Sequence, residues 1–248
     1  MPTADEPIPH PEPAPDSDFA AAWAIADTIP GWLKPGQARL LFDHARALGP
    51  GARVLEIGSH QGRSTVILAK ALEPLGGTVI CVDPFVEGKL FGGTPTRTKF
   101  EQHVAAAGVG DRVDLRAEYS TKLRPRWTDG FDMLYIDGKH DYWTLSDDLK
   151  WSAHLPEDGP ILIHDCYSSI GVTLGILAHV LPSRTLRYAA RSDSMALFFN
   201  ARPSGADRIR ILGELPWWIR NVLIKVLLRL RLRPVARVFG HDSPYDPY

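Results

Sequence analysis

The sequence predicts a doubly wound α/β protein, with a mostly parallel sheet of seven strands and an antiparallel hairpin at its C-terminal edge. Three observations carry this expectation. Short apolar runs alternate with helical stretches between residues 53 and 180, the pattern of strands linked by crossover helices. Glycine, acid or proline punctuates the ends of those runs. The last two strand-like runs, 184–190 and 195–200, are separated only by Arg191-Ser192-Asp193-Ser194. Four polar residues cannot make a parallel crossover but do make a hairpin.

The elements follow in order. Residues 1–17 are rich in proline and acid, bury little apolar surface and read as a disordered leader. Residues 18–29 and 35–48 read as helices separated by Pro30-Gly31; in the second, Ala38, Leu41, Phe42, Ala45 and Leu48 recur at helical spacing. Gly49-Pro50-Gly51 ends it. Strand one spans 53–57, with its helix at 62–73. Strand two spans 78–82 and closes on Asp83-Pro84. A loop at 86–95 containing Gly88, Gly92 and Gly93 is either a lid over a site or an ordinary connection. A helix at 96–107 leads to strand three at 113–117. Strand four, 133–136, closes on Asp137-Gly138 and is followed by a helix at 141–154. Strand five, 160–163, closes on His164-Asp165, and a helix at 171–180 precedes the hairpin. The extension 204–248 is different in kind. Between Leu215 and His241 it holds six Arg or Lys and no Asp or Glu, with Asn221, Lys225, Arg229 and Arg233 at i, i+4 spacing among Trp, Ile, Val and Leu.

The 248 residues suffice for one α/β domain with extensions, and 44% apolar with 23% charged residues is ordinary for a soluble chain. A net charge of −1 gives no argument for nucleic acid. Cys81 and Cys166, both in apolar strand-like runs, provide no disulfide framework or zinc cluster. The N-terminus lacks the basic and apolar regions of a signal peptide, so the expected compartment is the cytoplasm.

In an open parallel sheet, ligands bind beyond the carboxyl ends of the strands. Glu56, Asp83, Asp137 and Asp165 stand at or next to four such ends. Gly58 and Gly62 break strand one into a helix, letting backbone approach a ligand closely. Glu56 there would repel a pyrophosphate and suit a ligand carrying hydroxyls or positive charge. Asp83, 25 residues after Gly58, is placed to accept hydrogen bonds from two ribose hydroxyls. His140 and His164 titrate near neutrality and are candidate bases, or else hold neighbours in place. His60 reads as a solvent-facing loop residue, and Asp147 and Asp148 as a solvated helix face.

Glu-Ile-Gly-Ser-x-x-Gly-Arg-Ser-Thr (56–65), Val-Asp-Pro-Phe (82–85), Tyr-Ile-Asp-Gly-x-His-x-Tyr (135–142) and Ile-His-Asp-Cys-Tyr (163–167) resemble class I S-adenosylmethionine-dependent methyltransferases. The subgroup is that of small-molecule O-methyltransferases of antibiotic and sugar biosynthesis, and Ile-Pro-Gly-Trp-Leu (29–33) resembles it as well. The resemblance covers about 28–200, implies a Rossmann-like fold, and divides the chain into leader, a methyltransferase domain at 18–203 and a basic amphipathic extension. It implies that S-adenosylmethionine is lined by Glu56, Gly58, Ser59, Gly62 and Ser64. Asp83 would hold the ribose diol, Ser120 would lie on the adenine side, and Asp137 would face the methyl group. His140, His164 and Asp137 are then the catalytic candidates. Some relatives bind a magnesium-like divalent cation; Asp137, Asp165 and His164 are the ligands this chain offers, His164 standing where those relatives carry Asp or Glu.

The implied activity is methyl transfer to a hydroxyl of a small molecule such as a sugar, glycolipid or secondary metabolite. Two other readings stay open: a nucleotide-dependent oxidoreductase, against which the absence of Gly-x-Gly-x-x-Gly counts, and a non-catalytic cofactor-binding protein working through its basic tail. The tail at 215–239 either lies on a membrane surface, with Trp217 and Trp218 at the interface, or packs on the domain or on a second copy in a homo-oligomer. Its charges are too frequent for a transmembrane span.

Overall fold

The computed structural model describes residues 12–86 and 93–241. Two helices, α1 (Asp16–Ala26) and α2 (Pro35–Arg46), precede the sheet. Helix α1 begins inside the stretch expected to be a disordered leader. Asp16 there pairs with Arg39 at 2.6 Å, and Asp18, just beyond the leader, pairs with Arg46 at 2.9 Å. Ala14 is buried; its N–H donates to Asp43 at 3.1 Å and its carbonyl accepts from Arg39 at 2.7 Å. Residues 1–11 lie outside the described residues.

The strands are β1 (Arg53–Ile57), β2 (Thr78–Val82), β3 (Val113–Arg116), β4 (Met133–Ile136), β5 (Pro160–Ile163), β6 (Arg187–Ser192) and β7 (Met195–Phe199), in the spatial order β3-β2-β1-β4-β5-β7-β6. The first five strands are mutually parallel, and β7 is antiparallel to both β5 and β6. The expected fold class holds. The hairpin turn is tighter than expected: β6 runs on to Ser192, and the turn is Asp193-Ser194, with Asp193 at φ +50°. The buried positions of the central strands are apolar except for Glu56 in β1, because both faces are covered; edge strands β3 and β6 carry Asp114, Arg116, Arg187 and Arg191, which blunt the open edges.

Crossovers are supplied by α3 (Arg63–Leu72), α4 (Gly93–Ala106), α5 (Ser120–Leu123), α6 (Tyr142–Asp148) and α7 (Ile170–Gly175). Helix α6 is shorter than expected, tightening into a 3₁₀ turn over Leu149–His154, and α7 widens into a π-turn over Ile176–Val180. Side chains alternate across the sheet. Val54, Cys81 and Tyr135 pack with α2 and α3 on one face; Leu55, Ile80 and Leu134 pack with Trp151 and Val172 on the other. The loop at 86–95, read as a lid or an ordinary connection, falls mostly outside the described residues.

Among the described residues three helices follow the hairpin: α8 (Gly205–Gly213), α9 (Leu215–Arg229) and α10 (Arg233–Val238). They are fastened to the hairpin. Glu214 accepts from Tyr188 at 2.6 Å and Arg191 at 2.9 Å, and the Arg191 guanidinium sits 4.0 Å over the Trp217 ring. Among the described residues no helix is long and apolar enough to cross a membrane.

Helix α7 touches the backbone that follows β4. A Cβ on Gly171 would lie 2.7 Å from the His140 carbonyl oxygen and from the Asp141 Cα. Gly171→Ala should therefore destabilise the protein by about 2 kcal/mol or more through overpacking, against the gain of about 1 kcal/mol that helix propensity alone would give. Urea denaturation of the variant checks the sign.

Candidate active site

The turn after β1 is set by a backbone crossing. Gly58 sits at φ +88°, and a Cβ there would lie 2.2 Å from the Asp137 carbonyl oxygen. No side chain fits, so β1 and β4 emerge side by side at the point where the strand order reverses. Asp83, at the end of β2, ties the turn down from the other side. One of its oxygens accepts the N–H groups of Ser59 and His60 at 3.0 and 2.9 Å, and the other accepts that of Phe85 at 2.7 Å. A carboxylate has about four lone-pair positions, so roughly one remains for a ligand hydroxyl. Gly62 caps α3 in the left-handed region at φ +92°.

Glu56 corrects the sequence reading. It is wholly buried and does not stand at the rim. Its carboxylate accepts the hydroxyls of Ser59 at 2.8 Å, Ser64 at 2.5 Å and Thr65 at 2.5 Å, with the Cys81 thiol at 3.4 Å. Burial pushes its carboxyl up, and these donors offset part of the rise. Glu56 therefore fastens the turn to α3 and β2 from below, and the Ser59 and Ser64 hydroxyls point inward to it. The signal was present in the sequence: Ser59, Ser64 and Thr65 follow within nine residues of an acid inside an apolar strand. His60 is also partly enclosed, its ring 5.5 Å from that of Trp32.

Asp137, His140, His164 and Asp165 do come together. His164 Nδ1 lies 3.3 Å from Asp137 and 3.4 Å from Asp165, with no aligned hydrogen bond to either. His140 places one ring nitrogen 3.1 Å from Asp165 and the other 3.6 Å from Asp137. Tyr135 donates to Asp137 at 2.9 Å. Burial alone would lower the His164 pKa, but Asp137 and Asp165 outweigh it and hold it up at about 9. For Asp165, burial works upward and the two imidazoles win, keeping it well below the usual carboxylate range. Burial likewise lowers His140, and the same two acids carry it above its ordinary value. The acids at these strand ends are thus locally neutralised by histidines rather than lined up as an open anionic rim.

Several residues that hold this cluster escaped the sequence reading. Gln37 of α2 is buried and accepts from His164 at 3.3 Å while donating to Ser194 at 3.1 Å; it stands one helical turn before Leu41 on the apolar face, which is its only signal in the sequence. Ser169 donates to the His140 carbonyl at 2.9 Å. Asp148, expected on a solvated face, is buried and accepts from Ser120 at 2.6 Å, leaving its other oxygen without a partner. Asp147 is the solvated one, paired with Lys150. Burial raises the Asp148 carboxyl to about 7, the Ser120 hydrogen bond offsetting only part of the effect. Between Asp137, His140, Asp148 and His164 lies a cavity of about 10 Å³, room for one water-sized group. Four non-glycine residues at these strand ends, His60, Phe85, Asp165 and Tyr167, adopt positive φ, a concentration of backbone strain typical of functional loops.

Residues 55–166, just under half of the chain, match a family model described as a methyltransferase domain. Over that segment the chain is similar to a methyltransferase domain, carried on a Rossmann-like sheet. Solved structures share the architecture. An S-adenosylhomocysteine-bound methyltransferase of Podospora anserina is similar with a TM-score of 0.59 and 16% identity, over 77% of this chain and 90% of that one. Cofactor-bound Rv0187 from MTB gives 0.58 and 21%, over 76% and 91%. The O-methyltransferase TomG of Streptomyces achromogenes, solved with S-adenosylmethionine, gives 0.53 and 18%, over 77% and 92%.

Glu56→Ala would strand three buried hydroxyls and open a cavity; a loss of about 3 kcal/mol in urea denaturation is expected. Asp148 and His164 both bind protons more tightly folded than unfolded. The stability contributed by Asp148 is lost as pH rises from 3.8 through about 7, and that of His164 as pH rises from 6.5 through about 9. Melting curves across pH should flatten in the lower window for Asp148→Asn and in the upper for His164→Gln; parallel wild-type and variant profiles would contradict the assignment.

Proposed function

We propose that this protein transfers a methyl group from S-adenosylmethionine to a hydroxyl of a small molecule such as a sugar, glycolipid or secondary metabolite. The observation that carries the reading is the turn pinned between Gly58, Asp83 and Asp137 at the switch point of the sheet, within the segment that matches a methyltransferase domain. The residues present fit the cofactor. Asp83 keeps a free acceptor position for a ribose hydroxyl, and the unpartnered buried oxygens of Gln61 and Asp148 border the same edge. The choice of an oxygen acceptor is supported by TomG, an O-methyltransferase involved in tomaymycin synthesis that shares the fold. The match to a methyltransferase domain favours this reading over an oxidoreductase.

The bound cofactor supplies an electrophilic methyl on a sulfonium centre. In-line attack by the acceptor oxygen forms the new C–O bond as the S–C bond breaks, and the hydroxyl proton must leave. His140 is the residue placed to take it. Its side chain is 31% exposed, against 7% for His164, and both its ring nitrogens are oriented by carboxylates. His164, with its pKa at about 9, carries the charge that keeps Asp137 and Asp165 together. Burial lowers the His140 pKa, but Asp137 and Asp165 raise it overall, which strengthens the imidazole as a proton acceptor, and the positive charge of His164 offsets only part of that rise.

The cluster also fits a divalent cation. Ligand atoms of Asp137, His164 and Asp165 lie within 4.8 Å of one another, and the buried His164 Nδ1 has no aligned partner. Two carboxylates and an imidazole suit manganese or iron better than magnesium. These three residues would hold the ion, which would polarise the acceptor oxygen; His164 must lose its proton to ligate.

Calorimetric titration should give micromolar affinity for S-adenosylmethionine in the wild type and none in Asp83→Ala. Binding of NAD without S-adenosylmethionine would contradict the reading. Manganese should raise the melting temperature of the wild type but not of Asp165→Asn, and an equal response in both would remove the cation from the site.

A further inference from the structure

The C-terminal helices have two apolar faces, and among the described residues only one is covered. On α9, Ile224 and Leu228 are buried, and Trp217 and Trp218 pack against the sheet's second core. Of the two readings of the tail, the tryptophans thus follow the one that packs it on the domain. The opposite face carries Ile219, Leu223, Val226 and Leu230, at i, i+4, i+7 and i+11, exposed by 62, 39, 50 and 63%. On α10, Val238 is 82% exposed. Arg220 borders the stripe on one side and Arg229 on the other, as the 3.6-residue period dictates. Six basic and no acidic residues lie between Leu215 and His241, in a chain whose net charge is −1.

We propose that this face docks the protein onto an anionic lipid surface. Charge decides among occupants. A second copy meeting the first through the same face would set its flanking cations, Arg220 and Arg229 among them, against their own copies, since a two-fold contact pairs a patch with itself. The exposed stripe is a row of aliphatic side chains without an aromatic anchor, flanked by cations. That arrangement matches a helix lying in the headgroup plane, its apolar face in the acyl boundary and its Arg and Lys among anionic headgroups. Helix α9 is also joined to the site: Asn221 donates to the Tyr167 carbonyl at 3.0 Å, two residues from Asp165, so docking would bring the sheet's ligand-binding edge near the surface. The inference concerns docking alone and does not depend on the methyl-transfer reading.

The test is sedimentation of the full chain with vesicles of phosphatidylcholine alone or with about one-third phosphatidylglycerol. Wild type should bind the anionic vesicles, release at high salt and leave the neutral ones in solution. Leu223→Glu/Val226→Glu and Arg229→Glu/Arg231→Glu, all at exposed positions, should each weaken partitioning roughly tenfold or more, with unchanged circular dichroism and melting temperature. The proposal is overturned if wild type ignores anionic vesicles, if either double variant binds as well as wild type, or if light scattering finds an oligomer abolished by Leu223→Glu/Val226→Glu without vesicle binding.

Discussion

Everything at the upper edge of the sheet depends on the contact between Gly58 and the carbonyl of Asp137. A Cβ at residue 58 would fall 2.2 Å from that oxygen, far inside van der Waals contact, so the backbone itself is the packing surface. The contact joins the glycine turn after β1 to the strand end that carries Asp137. Two carboxylates then fix the turn from opposite sides: Asp83 through three backbone N–H groups, and Glu56 through three hydroxyls and a thiol beneath it. The turn is held on three sides by the protein's own groups, and preorganisation of this kind reduces the ordering cost of binding.

The second theme is how charge is arranged. A row of acids facing solvent would attract a cation over a distance but would also repel itself. Here the acids are separated by function. Glu56 is enclosed among donors, Asp83 is committed to backbone, and Asp137 and Asp165 share two imidazoles. Electrostatic recognition of a sulfonium would then fall to the remaining field of Asp83 and Asp137 rather than to four independent charges. The support for the histidines comes from far away in sequence: Gln37 on α2, Ser169 before α7 and Gly171 within it.

Much of the fold was legible in the sequence. Strands β1, β2, β4 and β5 fall where apolar runs end in glycine or acid, because a strand covered on both faces has a composition unlike its turns. The short link 191–194 identified the antiparallel edge, since geometry forbids a crossover of that length. The sequence did not disclose direction. Nothing in Glu-Ile-Gly says that the Glu56 side chain turns inward to hydroxyls ten residues or fewer downstream, and Asp147 and Asp148 look alike although one is solvated and the other buried beside Ser120. Helix phase separates them, and phase is set by packing of α6 on the sheet. The end of the leader, 12–17, misled for a related reason: Asp16 reads as unpaired until Arg39 on α2 supplies its partner.

The central claim is that the Gly58 turn and the Asp137–His140–His164–Asp165 cluster form a single site for a methyl donor and its acceptor. A crystal structure of the protein with S-adenosylhomocysteine tests it most directly. The account predicts the ribose hydroxyls against Asp83, the adenine toward Ser120, and the sulfur on the side of Asp137 and His140. A ligand seated elsewhere on the sheet, or one whose sulfur faces away from His140, would contradict it.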